Sequence, residues 1–174
     1  MNDHSSSARW SRLQEIAFDL ADAESLDEVI QVIRISARTV AGADGITFVR
    51  REGDFVHYVA EDAIGPLWSG QSFPIASCIS GIAMLAREPV IIPDVFADPR
   101  VPHRAYEPTF VKSMAMFPVG VDQMPAAIGA YWSRPGNIDE DTIDILAALA
   151  KTTGTTLNAL GVIVTPPALP PAPR

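Results

Sequence analysis

The stretch REPVIIPD (residues 87–94), continued by PHRAYEPTFVKS (residues 102–113) and MAMFPV (residues 114–119), decides the fold of this chain. It places a short apolar strand before a long loop broken by prolines, and a second strand after that loop. Long irregular loops within compact domains are uncommon and usually carry a binding function. We therefore expect the loop to cover the site at which the protein acts.

Capped helices and alternating strands flank this loop. SLDE (residues 25–28) has the pattern of a capping box, so we expect a helix that begins there and ends at Gly42. Two runs of alternating apolar residues around EGD (residues 52–54) predict a hairpin. NIDE (residues 137–140) repeats the capping pattern before an apolar periodicity that continues to Leu160, which predicts a long last helix.

The order of these elements indicates the fold class. Consecutive strands without helical crossovers predict an α+β protein with an antiparallel sheet. We expect the long N- and C-terminal helices to lie on one face of this sheet, and a short helix and the long loop to cover the other. A pocket between the sheet and the loop would follow from this arrangement.

Length and composition narrow the class of protein. The 174 residues carry a formal charge of −8, with no basic cluster to attract nucleic acid. The longest apolar run is too short for a membrane helix, and we expect a cytoplasmic protein without membrane contact. We expect residues 1–7 to be disordered, residues 8–164 to form a single domain, and residues 165–174 to be a disordered, proline-rich tail.

In its ordered set of motifs, the chain from about residue 13 to residue 160 resembles a GAF domain. The segments that carry the resemblance are VAGAD (40–44), Gly81 with REPVIIPD (87–94), SMAMFPV (113–119) and AIGAYW (127–132). The resemblance implies a small-molecule sensor that forms a homodimer through its first and last helices. It also implies that a histidine kinase or similar signalling protein receives the signal.

The alternative is a ligand-free dimerisation or interaction module of the same fold. In that case large side chains would fill the pocket, and the sequence offers Phe73, Met84, Met114, Met116 and Trp132 for this purpose. Methionine adapts to irregular space, so composition alone leaves both alternatives open.

The candidate ligand-binding residues are mostly polar and aromatic side chains of the loop. They are His103, Tyr106, Phe110, Asp94 and Arg100, together with Trp132 on a strand. Each also has a purely structural interpretation, since aspartates form turns and aromatic residues anchor loops. The sequence does not identify the ligand.

The run PHRAY (residues 102–106) is similar to GAF domains of proteobacterial sensor histidine kinases and, more distantly, to a phytochrome segment that lies against a bilin. That similarity would give His103 a place beside a chromophore. Phytochromes of the plant and cyanobacterial type attach the bilin to a cysteine close to this histidine, and no cysteine is found there. We therefore do not expect a bilin.

Cys78 is the one cysteine of the chain and lies at the predicted start of the short helix, where a thiol can become reactive. A redox role for Cys78 is thus an open alternative to a small buried side chain. Free methionine sulfoxide reductases resemble this chain in size and family but use several cysteines. We therefore expect no enzyme of this kind, and the scattered histidines predict no metal site.

Overall fold

The computed structural model describes residues 3–164, which form a six-stranded antiparallel sheet with helices on both faces. The helices are α1 (Asp3–Asp22), α2 (Leu26–Ala41), α3 (Ile79–Ala86), α4 (His103–Tyr106) and α5 (Glu140–Ala159), with a 3₁₀ turn at Ile75–Ser77. The strands are β1 (Gly45–Glu52), β2 (Phe55–Ala63), β3 (Ser72–Pro74), β4 (Val90–Ile92), β5 (Ser113–Val119) and β6 (Ala126–Trp132). The predicted α+β fold is confirmed.

The strands lie in the order β3-β2-β1-β6-β5-β4, so the first and last long strands pair at the centre of the sheet. The β1–β2 hairpin turns through Gly53, whose φ of 57° is the left-handed conformation that a two-residue turn needs. At the other end of the sheet, β4 pairs with β5, and the long loop predicted from residues 87–119 joins these two strands. The loop is therefore fixed at both ends to neighbouring strands.

Alternation along the strands divides the interior into two cores. On β6, Ile128 points towards α1, α2 and α5, whereas Tyr131 points to the opposite face, which α3 and the loop cover. Fully buried residues such as Ile16 and Ile33 attach the first two helices to the sheet. Each such aliphatic side chain contributes about 1.5–3 kcal/mol by leaving water.

The helix caps match the sequence pattern except in one contact. The Ser25 hydroxyl accepts a hydrogen bond from the backbone N–H of Glu28 at 3.2 Å. The Glu28 carboxylate, however, accepts from the backbone N–H of Glu24 at 2.6 Å, one residue earlier than a standard capping box. Gly42 ends α2 with a φ of 60°, as predicted.

Asp139 caps α5 by accepting a hydrogen bond from the backbone N–H of Thr142 at 2.8 Å. Burial raises the pKa of the Asp139 carboxyl. Hydrogen bonds from the Thr142 hydroxyl and backbone N–H, together with the charge of Arg9, lower the pKa by more than burial raises it, so the net pKa lies below the ordinary value of 3.8. The cap is therefore charged under ordinary conditions and favours the start of the helix.

The N-terminal segment differs from the sequence prediction. Residues 1–7 were expected to be disordered, but α1 begins at Asp3. The Ser6 hydroxyl donates to the Asp141 carboxylate at 2.8 Å, and Arg9 donates to the backbone carbonyl of Val40 at 2.9 Å. Polar residues that look solvated in the sequence thus find partners more than thirty positions away. The predicted proline-rich tail, residues 165–174, lies outside the described residues.

Across residues 3–164, none of the helices combines the length and the apolar character needed to cross a bilayer.

Candidate functional site

A cleft of about 310 Å³ opens between the sheet and the long loop, on the face opposite the terminal helices. This is where the pocket was predicted. The residues that line it come from β2, from β3 and the connections on either side of it, and from the loop: Tyr58, Trp68, Phe73, Ser77, Cys78, Pro102, Arg104, Ala105 and Tyr106. Its volume lies at the lower end of the range for small-molecule sites.

The walls of the cleft are aromatic. The rings of Trp68 and Tyr106 are 4.7 Å apart between centroids and tilted by 58°. Tyr58 meets Trp68 edge to face at 5.6 Å and Phe73 at 5.7 Å. Such edge-to-face packing holds the rings in fixed orientations without stacking them on one another. The wall of the cleft is therefore a closely packed aromatic cluster.

The polar atoms in these walls have weak partners. The Tyr106 hydroxyl donates to the thioether of Met114 at 3.4 Å, and a thioether is a poor acceptor. The Tyr58 hydroxyl lies 3.3 Å from the Ser80 hydroxyl. Burial raises the pKa of both tyrosines. Both are consequently neutral hydroxyls that can donate a hydrogen bond.

Cys78 lies beside this network as the N-terminal cap residue of α3. Its thiol is 3.4 Å from the Ser80 hydroxyl and 3.6 Å from the backbone carbonyl of Pro74, and the residue is buried. The thiol therefore borders the cleft while forming part of its packed wall. Within residues 3–164, no three His, Cys, Asp or Glu side chains lie close enough together to hold a metal ion.

Arg104 carries the only charge among the residues that line the cleft. It is exposed on α4, and its guanidinium forms no ion pair or hydrogen bond with another of the residues described in the structure. Carboxylates are not part of the cleft wall. The site thus combines an apolar interior with one positive charge.

The loop is held by backbone contacts at several points. The indole N–H of Trp68 donates to the carbonyl oxygen of Ala105 at 3.1 Å, which fixes α4 over the cleft. The backbone N–H of Val95 donates to the carbonyl of Lys112 at 2.9 Å, which closes the base of the loop. These two hydrogen bonds attach the loop to the sheet side of the cleft and close its base, which fixes the wall that the loop provides.

Tyr106 is the predicted ligand-binding residue that the structure places in the cleft wall. Three other predicted residues stabilise the loop instead. The Asp94 carboxylate accepts from the backbone N–H of Phe96 at 3.1 Å, as a turn former does. Arg100 forms an ion pair with Asp98 at 2.7 Å, and its hydrogen bond to Asp98 lowers the pKa of that carboxyl.

His103 lies close to the same loop contacts. Its Nε2 is 3.0 Å from the backbone carbonyl of Asp98, and its ring meets Phe96 edge to face at 5.7 Å. The imidazole is therefore hydrogen-bonded to the backbone of the loop. This arrangement matches the structural interpretation that the sequence left open for histidine.

Phe110 and Trp132 also lie outside the cleft wall. Phe110 packs against Gly45, where an added Cβ would lie 2.9 Å from the phenyl ring. The assignment of Trp132 to the pocket is corrected by strand alternation: it packs with the core under the terminal helices, and its indole N–H donates to the Gly42 carbonyl at 2.9 Å.

Sequence reasoning missed Tyr58, Trp68 and Arg104 as cleft residues. Tyr58 could have been found, since it shares the inward face of β2 with Val56. Trp68 lies in an irregular connection, where no periodicity reports the direction of a side chain. Arg104 is adjacent to His103 in sequence, and both residues lie on the short helix α4. The sequence alone does not show which of the two side chains lines the cleft.

The proposed pocket-filling residues behave in three ways. Met84, Met114 and Met116 are buried in the same core cluster as Tyr58, Trp68 and Tyr106, Phe73 forms part of the cleft wall, and Trp132 lies on the other face of the sheet. None of the three methionines lines the cleft.

Known proteins share this fold over nearly the whole chain. The free methionine-R-sulfoxide reductase from Neisseria meningitidis, solved in complex with its substrate, is 17% identical with a TM-score of 0.77, covering 90% of this chain and 92% of that one. The GAF domain of a phosphoenolpyruvate-protein phosphotransferase from Coxiella burnetii is 13% identical with a TM-score of 0.77, covering 91% and 99%. The chromophore-binding domain of an unusual bacteriophytochrome from R. palustris is 15% identical with a TM-score of 0.71, covering 87% and 62%. At these identities the likeness shows the fold alone.

Comparison of the sequence with curated proteins found no match. A family profile described as GAF domain matches residues 23–158, which include every residue that lines the cleft. The chain belongs to the GAF domain family.

Proposed function

We propose that this protein is a sensory GAF module that binds a small cytosolic molecule in the cleft between the sheet and the loop of residues 94–112. The observation that carries the proposal is the open cleft of about 310 Å³ with aromatic walls. The Tyr106 hydroxyl in that wall has only a thioether partner. A ligand oxygen that accepts a hydrogen bond from Tyr106 would replace this weak contact to the Met114 thioether by a stronger hydrogen bond.

The route by which binding would reach the terminal helices runs through the segment between β6 and α5. The backbone N–H of Lys112 donates to the carbonyl of Trp132 at 2.8 Å, and the Ser113 hydroxyl donates to the carbonyl of Arg134 at 2.7 Å. The backbone N–H of Gly136 donates to the carbonyl of Pro93 at 2.8 Å. Both ends of the loop thus contact the segment that leads into α5.

From α5 the contacts pass to α1. The Asp141 carboxylate accepts hydrogen bonds from the Ser6 hydroxyl and from the indole N–H of Trp10, the latter at 2.7 Å. A shift of the loop would therefore change how the first and last helices pack. We propose that these helices form a homodimer contact and pass the signal to a protein partner, such as a histidine kinase.

Exposed apolar side chains on the helical side also support association with another chain. Phe18 on α1 is 74% exposed and Ile35 on α2 is 72% exposed in the single chain. Large exposed hydrophobic residues are common where proteins associate. The same residues would serve the second candidate function, a ligand-free interaction module.

We propose that the protein is not an enzyme. The N. meningitidis relative is a reductase that was solved with its substrate, but the present chain has a single cysteine, Cys78, packed in the cleft wall. A cycle that resolves an oxidised thiol through a second cysteine cannot close within one chain. Nor does a cleft of about 310 Å³ offer the extended room that a linear tetrapyrrole requires.

Native mass spectrometry after incubation with a small-molecule extract of cytosol tests the proposal. We expect a stoichiometric extra mass, and slower hydrogen exchange in residues 94–112 and α5 in the loaded protein. A clean, empty dimer would overturn ligand sensing and favour the interaction module. Turnover of free methionine sulfoxide with an added dithiol, abolished by Cys78→Ser, would instead establish an enzyme.

A further inference from the structure

Two walls of the cleft touch each other. The rings of Trp68 and Tyr106 lie 4.7 Å apart between centroids, which is contact distance for aromatic rings, and each residue is at most 5% exposed. Trp68 belongs to the connection between β2 and β3, whereas Tyr106 belongs to α4. The cleft is therefore closed between these two rings, and a ligand enters there when the connection and α4 move apart.

One hydrogen bond spans the cleft between the same two walls. The indole N–H of Trp68 donates to the backbone carbonyl of Ala105 at 3.1 Å. Among the residues that the structure describes, it is the one hydrogen bond between the lining residues of the β2–β3 side and those of the loop. The Ala105 carbonyl depends on it, because Thr109, four positions on, donates to Tyr106 instead. We call the hydrogen bond from Trp68 to Ala105 the latch.

The position of Trp68 depends in turn on a carboxylate outside the cleft lining. Glu61 on β2 accepts a hydrogen bond from the backbone N–H of Leu67 at 2.8 Å and a second from that of Ser69 at 2.6 Å. Leu67 and Ser69 are the residues on either side of Trp68, in an irregular part of the connection. Hydrogen bonds to a charged acceptor are roughly twice as strong as those between neutral groups. Glu61 therefore holds the backbone on both sides of the residue that forms the latch.

This arrangement requires a side chain with two acceptor atoms. Both oxygens of a carboxylate accept hydrogen bonds, whereas a glutamine side chain has one oxygen and one NH₂ group. In Glu61→Gln the NH₂ group would face a backbone N–H, so either Leu67 or Ser69 would lose its partner. The substitution keeps the size of the side chain and changes only its hydrogen-bonding chemistry.

We infer that Glu61 is a positioning residue for the cleft: it fixes the connection that carries Trp68, and Trp68 holds α4 closed through the latch. This inference rests on the proposed function, because it assigns to the latch the control of ligand entry. When the latch opens, the Trp68 indole N–H loses the Ala105 carbonyl and exchanges with water. The state of the latch is therefore measurable on Trp68 itself, without a ligand.

Solvent exchange of the indole N–H groups, measured by NMR on the full chain labelled with ¹⁵N, tests the inference. The three tryptophans each donate to a different acceptor, so two of them are internal controls: Trp10, Trp68 and Trp132. In Glu61→Gln we expect the Trp68 indole signal to shift and its N–H to exchange roughly tenfold faster, the factor that one lost hydrogen bond supplies. The other two indole N–H groups should keep their wild-type rates.

Two further variants locate the effect. Asp62→Asn changes the neighbouring carboxylate of β2, which pairs with Arg38 at 3.3 Å, and should leave the Trp68 exchange rate unchanged. Trp68→Phe keeps an aromatic ring but removes the N–H of the latch, and its spectrum also identifies the Trp68 signal.

The backbone of α4 reports the second step. The backbone N–H of Glu107 closes α4 by donating to the His103 carbonyl at 2.9 Å. It should exchange roughly tenfold faster in both Glu61→Gln and Trp68→Phe, because each variant opens the latch. The backbone N–H of Leu67 should exchange faster in Glu61→Gln alone. An unchanged Glu107 rate in Trp68→Phe would refute the latch, even if Glu61→Gln failed to fold.

Other outcomes also overturn the inference. Faster exchange confined to Leu67 and Ser69 in Glu61→Gln would mean that the carboxylate stabilises its own connection and does not position Trp68. Equal acceleration of all three indole N–H groups would show a general loss of stability in place of a local opening.

Native mass spectrometry with the cytosolic extract separates this inference from the proposed function. If the wild type gains a stoichiometric mass while Trp68 exchange in Glu61→Gln is unchanged, the latch is wrong and ligand sensing stands. If Trp68 exchange rises as expected but no protein gains mass, ligand sensing fails, and the control of ligand entry fails with it.

Discussion

Two buried tyrosines, Tyr131 on β6 and Tyr106 in the cleft wall, should respond differently to loss of their hydroxyls. Tyr131 is fully buried, and its hydroxyl lies 2.8 Å from the hydroxyl of Thr47, which is fully buried as well. Tyr131→Phe leaves the buried Thr47 hydroxyl without this hydrogen-bond partner, which should lower the free energy of unfolding by about 1–3 kcal/mol. The Tyr106 hydroxyl has only the Met114 thioether, so Tyr106→Phe should change stability by less than about 0.5 kcal/mol.

Urea unfolding, followed by tryptophan fluorescence, measures the contrast. With a slope of about 2 kcal/mol per molar urea, Tyr131→Phe should lower the midpoint by about 0.5–1.5 M, and Tyr106→Phe should leave it nearly unchanged. Adding Thr47→Val to Tyr131→Phe should recover part of the loss, since it removes the stranded hydroxyl. Equal destabilisation by the two phenylalanine variants would refute the reasoning, because the Tyr106 hydroxyl would then have a strong internal partner and would not be free for a ligand.

Three further predictions concern the backbone, pH and association. Gly81→Ala should cost roughly 1–3 kcal/mol or more in thermal denaturation, because the added Cβ would overlap the carbonyl oxygen of Ile75; Gly65→Ala, which meets its nearest neighbour at 3.6 Å, is the control, and equal losses would contradict the packing argument. The Asp139 carboxyl has a lowered native pKa, so its contribution is complete above the unfolded value of 3.8 and is lost as the pH falls through the native value. Asp139→Asn keeps a capping oxygen and should therefore lose less stability than the wild type between about pH 5 and pH 3, whereas parallel losses in urea titrations would count against the cap. Phe18→Asp should reduce the dimer fraction in light scattering at matched concentration, and an unchanged dimer would exclude α1 from the interface.

The architecture was predictable because its determinants are local. The Ser25 cap, the Gly42 stop and the Gly53 turn each depend on the chemistry of residues within one turn of the chain. Alternation along the strands then determines which side chains face the terminal helices and which face α3 and the loop. The start of α1 was missed for the opposite reason: Ser6 acquires its partner from Asp141, far along the chain.

The candidate site was predictable in position but not in composition. The long loop marked the side of the sheet on which the structure has this cleft, and Tyr106, a predicted ligand-binding residue, lies in its wall. Asp94, Arg100 and His103 looked functional because they are polar, yet their contacts are with the loop itself. A loop with few backbone partners needs such side chains to hold its shape. Polar residues in such a loop therefore indicate its own structure before they indicate ligand binding.

The aromatic residues that line the cleft were missed for a different reason. Tyr58 and Trp68 are almost fully buried, so in the sequence they look like any core residues. Hydrophobic periodicity reports that a side chain leaves water, but it does not report whether a void remains beside it. A cleft lined by such residues is therefore hidden within the core signal. The one charged side chain of its lining, Arg104, is adjacent in sequence to His103, which the loop backbone holds.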